Sequence, residues 1–172
     1  MENATPNQIP NTHISFGVIT GIILFVMFVI VYSFNLYTIS AVGIIQTLVF
    51  VALVIAAVVS HSKALGGNVT FGDLFASGFK AVAIATLIIL VCVVLFDLLV
   101  PTYKTAMVEM ARQKMVLKNT PQDQIDAGVQ GYSRFFLVIM IGGILVGNLI
   151  VGAIASLIGA AVSKKNPNAK RI

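Results

Sequence analysis

Between Glu2 and Lys63 the sequence contains no Lys, Arg, Asp or Glu. Two further stretches are nearly as bare: Ala81 to Val100, interrupted by Asp97 alone, and Phe135 to Ser163. Charged residues make up only 10% of the chain, against about 25% in an average globular protein. A Lys, Arg or Asp at the centre of an inserted helix costs roughly 2.5–3.5 kcal/mol, so long windows that avoid all of them mark lipid-facing helices. A water-soluble domain is excluded by the same scarcity, because the longest polar stretch, Pro101 to Arg134, is shorter than the ~40 residues below which a domain rarely folds unaided.

Cysteine is nearly absent too. Cys92 stands alone inside an apolar run, which excludes an internal disulfide and a dithiol redox pair. The nucleotide-binding pattern Gly-x-x-x-x-Gly-Lys-Ser/Thr, the metalloprotease pattern His-Glu-x-x-His and the nucleophile elbow Gly-x-Ser-x-Gly are all missing. With acids and bases few and scattered, no enzyme activity is expected, and no cofactor or metal. The net charge of +5 does not imply nucleic acid, because the basic residues flank apolar runs. Anionic lipid headgroups attract such residues by roughly 1 kcal/mol each.

What is present is apolar length. About 20 apolar residues cross a bilayer as a helix, and four such spans fit: 14–34, 39–60, 81–100 and 135–162. Fourteen of the 21 residues from Ile14 to Phe34 are Ile, Leu, Val or Phe, worth roughly −6 kcal/mol of insertion free energy. Residues 1–13 form a polar lead-in containing Pro6, Pro10 and no Lys or Arg, unlike a signal peptide. Asn35 to Thr38 leaves room only for a tight turn between the first two spans. Gly66, Gly67 and Asn68 form the next turn, and Thr70 with Asp73 makes a capping box in which Asp replaces the usual Glu or Gln. Residues 71–80 are expected as an interfacial first segment of the third helix, which Pro101 ends near Val100.

Residues 102–134 form an amphipathic connector in two pieces. Tyr103, Met107, Met110 and Leu117 share one face, opposite Lys104, Arg112 and Lys118. Thr120-Pro121-Gln122-Asp123 starts the second piece, with Thr120 as N-cap and Pro121 at the first helical position. That piece is expected to run straight into the fourth span. Residues 164–172 form a basic tail. The expected fold is therefore all-α: an integral membrane four-helix bundle with an amphipathic interfacial connector between its third and fourth spans.

Three groups of residues are candidates for function. Gly17, Gly21, Gly143, Gly147, Gly152 and Ser156 recur at the spacing that lets helix backbones approach closely, either within the bundle or against a partner helix. Asp97, Asn148 and Gln46 are polar groups inside spans; such groups are glue between helices or line a solute path. Asp97 sits one turn from Pro101 with Lys104 two turns on along the same face, so it reads as a snorkelling or ion-paired end residue or, alternatively, as a proton or cation site. Lys164, Lys165, Lys170 and Arg171 would meet lipid headgroups. His13 and His61 fall at the same membrane surface but lack the further ligands a metal needs.

Counting basic residues on the two sides gives five on the connector side and six on the other. The basic tail directly after a span and the chargeless first hairpin turn place the termini in the cytoplasm.

The segment Val69-Thr70-Phe71-Gly72-Asp73-Leu74-Phe75-Ala76-Ser77-Gly78-Phe79-Lys80, the Pro101-Thr102-Tyr103 start of the connector and the glycine-rich last span ending in Lys164-Lys165 resemble the domain-of-unknown-function 4199 family. The resemblance covers nearly the whole chain and is strongest from Val69 to Lys165. It implies a four-helix protein of the bacterial inner membrane and carries no activity with it. The role expected from the residues is non-enzymatic: an accessory or packing subunit that self-associates or joins a larger membrane complex. The alternative is a small-solute or ion transporter component using Asp97, Asn148 and Gln46.

Overall fold

The computed structural model describes residues 11–169. These residues form six α-helices: α1 (Thr12–Ser33), α2 (Ser40–Ala64), α3 (Phe71–Leu99), α4 (Thr102–Leu117), α5 (Gln122–Arg134) and α6 (Phe136–Val162). A single 3₁₀ turn, Leu36–Thr38, joins α1 to α2, and no strand occurs among the described residues. Helices α1, α2, α3 and α6 are each long and apolar enough to cross a membrane. The chain is a multi-pass integral membrane protein.

Helix α3 is the centre of the bundle, packing against α1 on one side and α6 on the other, while α2 closes the square by touching all three. The start of α1 and the ends of α2 and α6 lie together: Thr12 Oγ1 is 2.7 Å from His61 Nδ1, and Ser62 Oγ donates to the Lys164 carbonyl. We call this the terminal end. At the other, connector end sit the α1–α2 turn, the end of α3 and the start of α6.

Lipid tails are as apolar as leucine, so no hydrophobic force drives inserted helices together and close packing must come from small side chains. On α1, Gly17, Thr20 and Gly21 are buried. A Cβ added to Gly17 or Gly21 would fall 2.8 Å from Ile84 Cβ or Ile88 Cβ of α3. On α6, Gly152, Ala155, Ser156, Gly159 and Ala160 form the buried stripe. The hydroxyls of Ser156 and Ser163 are satisfied by donating 2.7 Å bonds to the carbonyls of Gly152 and Gly159, as a hydroxyl in an apolar setting requires.

Two expected boundaries hold for local reasons. Thr70 caps α3: its Oγ1 accepts from the Asp73 N–H at 3.2 Å and donates to Asp73 Oδ2 at 2.6 Å. Pro101 forces Val100 out of helical geometry (φ −118°, ψ 84°), and α3 stops at Leu99. Gly66 and Gly67 carry the α2–α3 turn at φ +60° and +78°, the left-handed region that glycine enters without strain.

Several expectations need correcting. The polar lead-in ends earlier than residue 13, because α1 begins at Thr12 and takes in His13. Residues 71–80 do form the first segment of the third helix, as expected, and their Leu74, Ser77 and Gly78 are buried in the bundle as part of one 29-residue helix. The second connector piece does not run unbroken into the last span, since Phe135 (φ −106°, ψ 20°) separates α5 from α6. Pro121, at ψ 145°, flanks α5 and Gln122 opens it, so the helix starts one residue later than expected and Thr120 is not its cap. Leu117 does not share the covered face of Tyr103, being 81% exposed while Tyr103 is 6% exposed.

Candidate functional site

The connector end is built from rings. Phe28, Tyr32, Phe96, Tyr103 and Phe136 form an edge-to-face cluster with centroid separations of 5.1–5.9 Å. Edge-to-face pairs are each worth about 0.5–1.5 kcal/mol beyond the area they bury. Tyr103 is the hub: it stands in the first turn of α4 and touches rings from α1, α3 and α6. It thereby fastens the connector to the bundle, helped by the Tyr32–Thr102 hydroxyl pair at 2.9 Å. Burial pushes the Tyr103 and Tyr132 phenols up, so both remain protonated donors at neutral pH. Helices α4 and α5 hold one another through Met115 against Gly128 and an Arg112–Asp126 ion pair of 3.0 Å. Both ion-pair partners are about half exposed, and such a pair contributes about 1 kcal/mol at most.

Rings are wide, and the helices they separate leave two clefts. The inner cleft, about 400 Å3, is lined by residues of α1, α2, α3, α4 and α6, including Leu24, Gln46, Phe50, Ile89, Gly147 and Asn148. The outer cleft, about 440 Å3, lies toward the connector and includes Tyr37, Ser40, Gln46, Met107 and Lys114. Phe28, Gln46 and Tyr103 belong to both.

The three intramembrane polar candidates part company. Gln46 and Asn148 line the inner cleft together. Neither side chain hydrogen-bonds the other or any other group among the described residues. Asp97 lies half-buried on the last turn of α3, lines neither cleft, and is not ion-paired with Lys104. Thr86, 1% exposed, keeps a hydroxyl without a partner among the described residues, in the middle of α3 and outside both clefts.

The small residues also divide. Gly17, Gly21, Gly152 and Ser156 pack inside the bundle. So do Gly78 and Gly159, which the sequence reading missed; a Cβ on either would lie 2.5 or 2.9 Å from Val58 of α2. Their signal was present, because Gly159 continues the stripe of Gly152 and Ser156 by one turn. Gly143 and Gly147 are different. Both are exposed, and a Cβ on either would meet nothing within 4 Å.

At the terminal end Lys165 Nζ donates to the Ala160 and Ala161 carbonyls at 3.3 and 2.9 Å, placing a cation on the negative end of the α6 dipole. The Lys164 stem covers Gly67, and Asn166 N–H donates to the Val69 carbonyl at 3.0 Å. The tail thus straps the α2–α3 turn. Lys170 and Arg171 lie outside the described residues. His61 is buried beside Thr12, and no group of three or more His, Cys, Asp or Glu side chains able to hold a metal occurs among the described residues.

The family model described as "Protein of unknown function (DUF4199)" matches residues 15–165. The chain belongs to the DUF4199 family. No curated protein and no solved structure matches it. For this DUF4199 protein the match runs from the first turn of α1 to the lysines after α6, so both ends of the bundle and the whole connector lie within the family's extent.

Proposed function

We infer that this DUF4199 protein is a non-enzymatic accessory subunit that associates with a further membrane helix along α6. One observation carries this reading: the spare pair of glycines. Every glycine that serves the bundle interior leaves no room for a Cβ, whereas Gly143 and Gly147 are exposed one turn apart with open space at their Cβ positions, Gly147 at the border of the inner cleft. A Gly-x-x-x-Gly pair allows two backbones to approach closely in lipid. A helix of a second copy, or of a larger complex, would find there the kind of surface that α3 finds on Gly17 and Gly21. The setting that suits this role is the bacterial cytoplasmic membrane, with the termini inside, as the lysines directly after α6 and the chargeless α1–α2 turn favour.

Cysteine crosslinking in native membranes tests it. In a Cys92→Ser background, Gly143→Cys forms a specific crosslinked species, and Val91→Cys, on the exposed face of α3, does not. A strictly monomeric protein with no crosslinked neighbour at position 143 ends the proposal.

The inner cleft favours a second reading, a component that handles a small solute, because Gln46 and Asn148 both line it with amides that bond no other group among the described residues. Asp97 has no place in that path. On this reading Gln46→Leu with Asn148→Leu reduces flux in proteoliposomes and Asp97→Asn does not; flux insensitive to the double substitution removes the cleft from consideration.

A further inference from the structure

The inner and outer clefts adjoin at Phe28, Gln46 and Tyr103. Each has a volume within the range of about 300–1,000 Å3 usual for small-molecule sites. The lining changes character along the recess. Its mouth carries Lys114, the one charged side chain in either lining, with the hydroxyls of Tyr37 and Ser40 nearby. Lys114 is exposed and takes part in no ion pair among the described residues. At the junction stands the Gln46 carboxamide, six residues into α2 from Ser40 and so about 9 Å farther along the helix axis. Beyond it the walls are mainly apolar: Leu24, Phe50, Ile89, Val93 and Ile144. Asn148 lies deeper still, about 18 Å along α6 from Phe136.

A cationic mouth, a collar of hydroxyls and one amide, and an apolar interior match the three parts of a single-chain lipid. We propose that this recess binds a monoacyl phospholipid of net negative charge. Lys114 takes the phosphate, Ser40 and Gln46 donate to the ester and glycerol oxygens, Tyr37, whose O–H is given to Asn35 Oδ1, accepts from the glycerol hydroxyl, and the acyl chain occupies the inner cleft. Charge complementarity selects the head, since a cation without any carboxylate in the lining favours an anion over a zwitterion. The size of the inner cleft selects the number of chains: its volume of about 400 Å3 is of the order of one acyl chain, not two. The proposal does not rest on helix association along α6, although Gly147 lines the inner cleft, so a helix seated on that residue would border the acyl chain.

The test uses the full chain in a mild non-ionic detergent, with lipid retention read by native mass spectrometry. Palmitoyl lysophosphatidylglycerol is retained as a single adduct per chain. Lys114→Glu lowers its occupancy about fivefold or more, the scale set by one interfacial charge. Lys118→Glu, the same charge change on the residue that follows α4 and lines neither cleft, leaves occupancy near wild type. Palmitoyl lysophosphatidylcholine and free palmitate are retained about fivefold less well, the first for want of net charge and the second for want of the glycerol oxygens. Equal retention of either of these lipids, equal effects of the two substitutions, or no retained adduct overturns the proposal.

Discussion

Where α2 turns into α3, glycine, alanine and serine bring three helices into backbone contact. Where α1 turns into α2, phenylalanine and tyrosine fill the same space and leave it incompletely filled. Val58, Val82, Ala155 and Ala160 are fully buried toward the terminal end, and both clefts lie toward the connector end. The difference follows from side-chain size in a solvent that offers no hydrophobic drive. Small residues gain dispersion contacts along whole backbones, while rings gain strong contacts at a few points and leave gaps between them. One end of the bundle is therefore a structural lock and the other is where a ligand has room.

The contrast should break most severely at Gly152. Any Cβ there collides with the Val82 side chain, so Gly152→Leu destabilises the bundle by about 3 kcal/mol or more, the upper range for overpacking, as measured by unfolding in detergent micelles. An unchanged midpoint would mean that α3 and α6 are not closely packed. At the connector end Tyr103→Ala removes the hub of the aromatic cluster. It should cost about 2 kcal/mol, four lost ring pairs at the lower end of their usual worth, and raise hydrogen exchange through residues 102–117 while leaving the terminal end protected. Gly143→Ala should have the smallest effect on monomer stability. With open space at its Cβ position, the change lies between zero and the gain of about 1 kcal/mol that alanine brings to a helix interior. Destabilisation there would place Gly143 inside the bundle.

The spans were legible because avoiding charge over some 20 residues is a one-dimensional signal, and Pro101 and Thr70 are local stop and start signs that need no tertiary context. Which glycines pack was not legible. Gly17-x-x-x-Gly21 and Gly143-x-x-x-Gly147 have the same spacing, and only the placement of α3 across the first pair tells them apart. The partial burial of residues 71–80 was hidden for a related reason: Asp73 and Lys80 give that segment the polarity of an interface, yet Leu74, Ser77 and Gly78 are buried and Gly78 lies against Val58 and Ser156. Asp97 drew attention as an intramembrane acid but lies away from both clefts. Tyr103, an unremarkable first-turn tyrosine in the sequence, proved to be the residue on which the connector is hung. That Gln46 and Asn148 line one cleft was likewise a matter of helix rotation, which spacing alone does not fix.

The claim that one end of the bundle is open and the other closed is tested most directly by cysteine accessibility in a Cys92→Ser background, using a membrane-impermeant maleimide applied from the connector side. Gln46→Cys and Asn148→Cys should label readily, with Gln46 the faster because it lies nearer the mouth, while Ser77→Cys and Ser156→Cys stay unlabelled until the protein is denatured. Equal labelling of all four positions, or protection of Gln46 and Asn148, would contradict it.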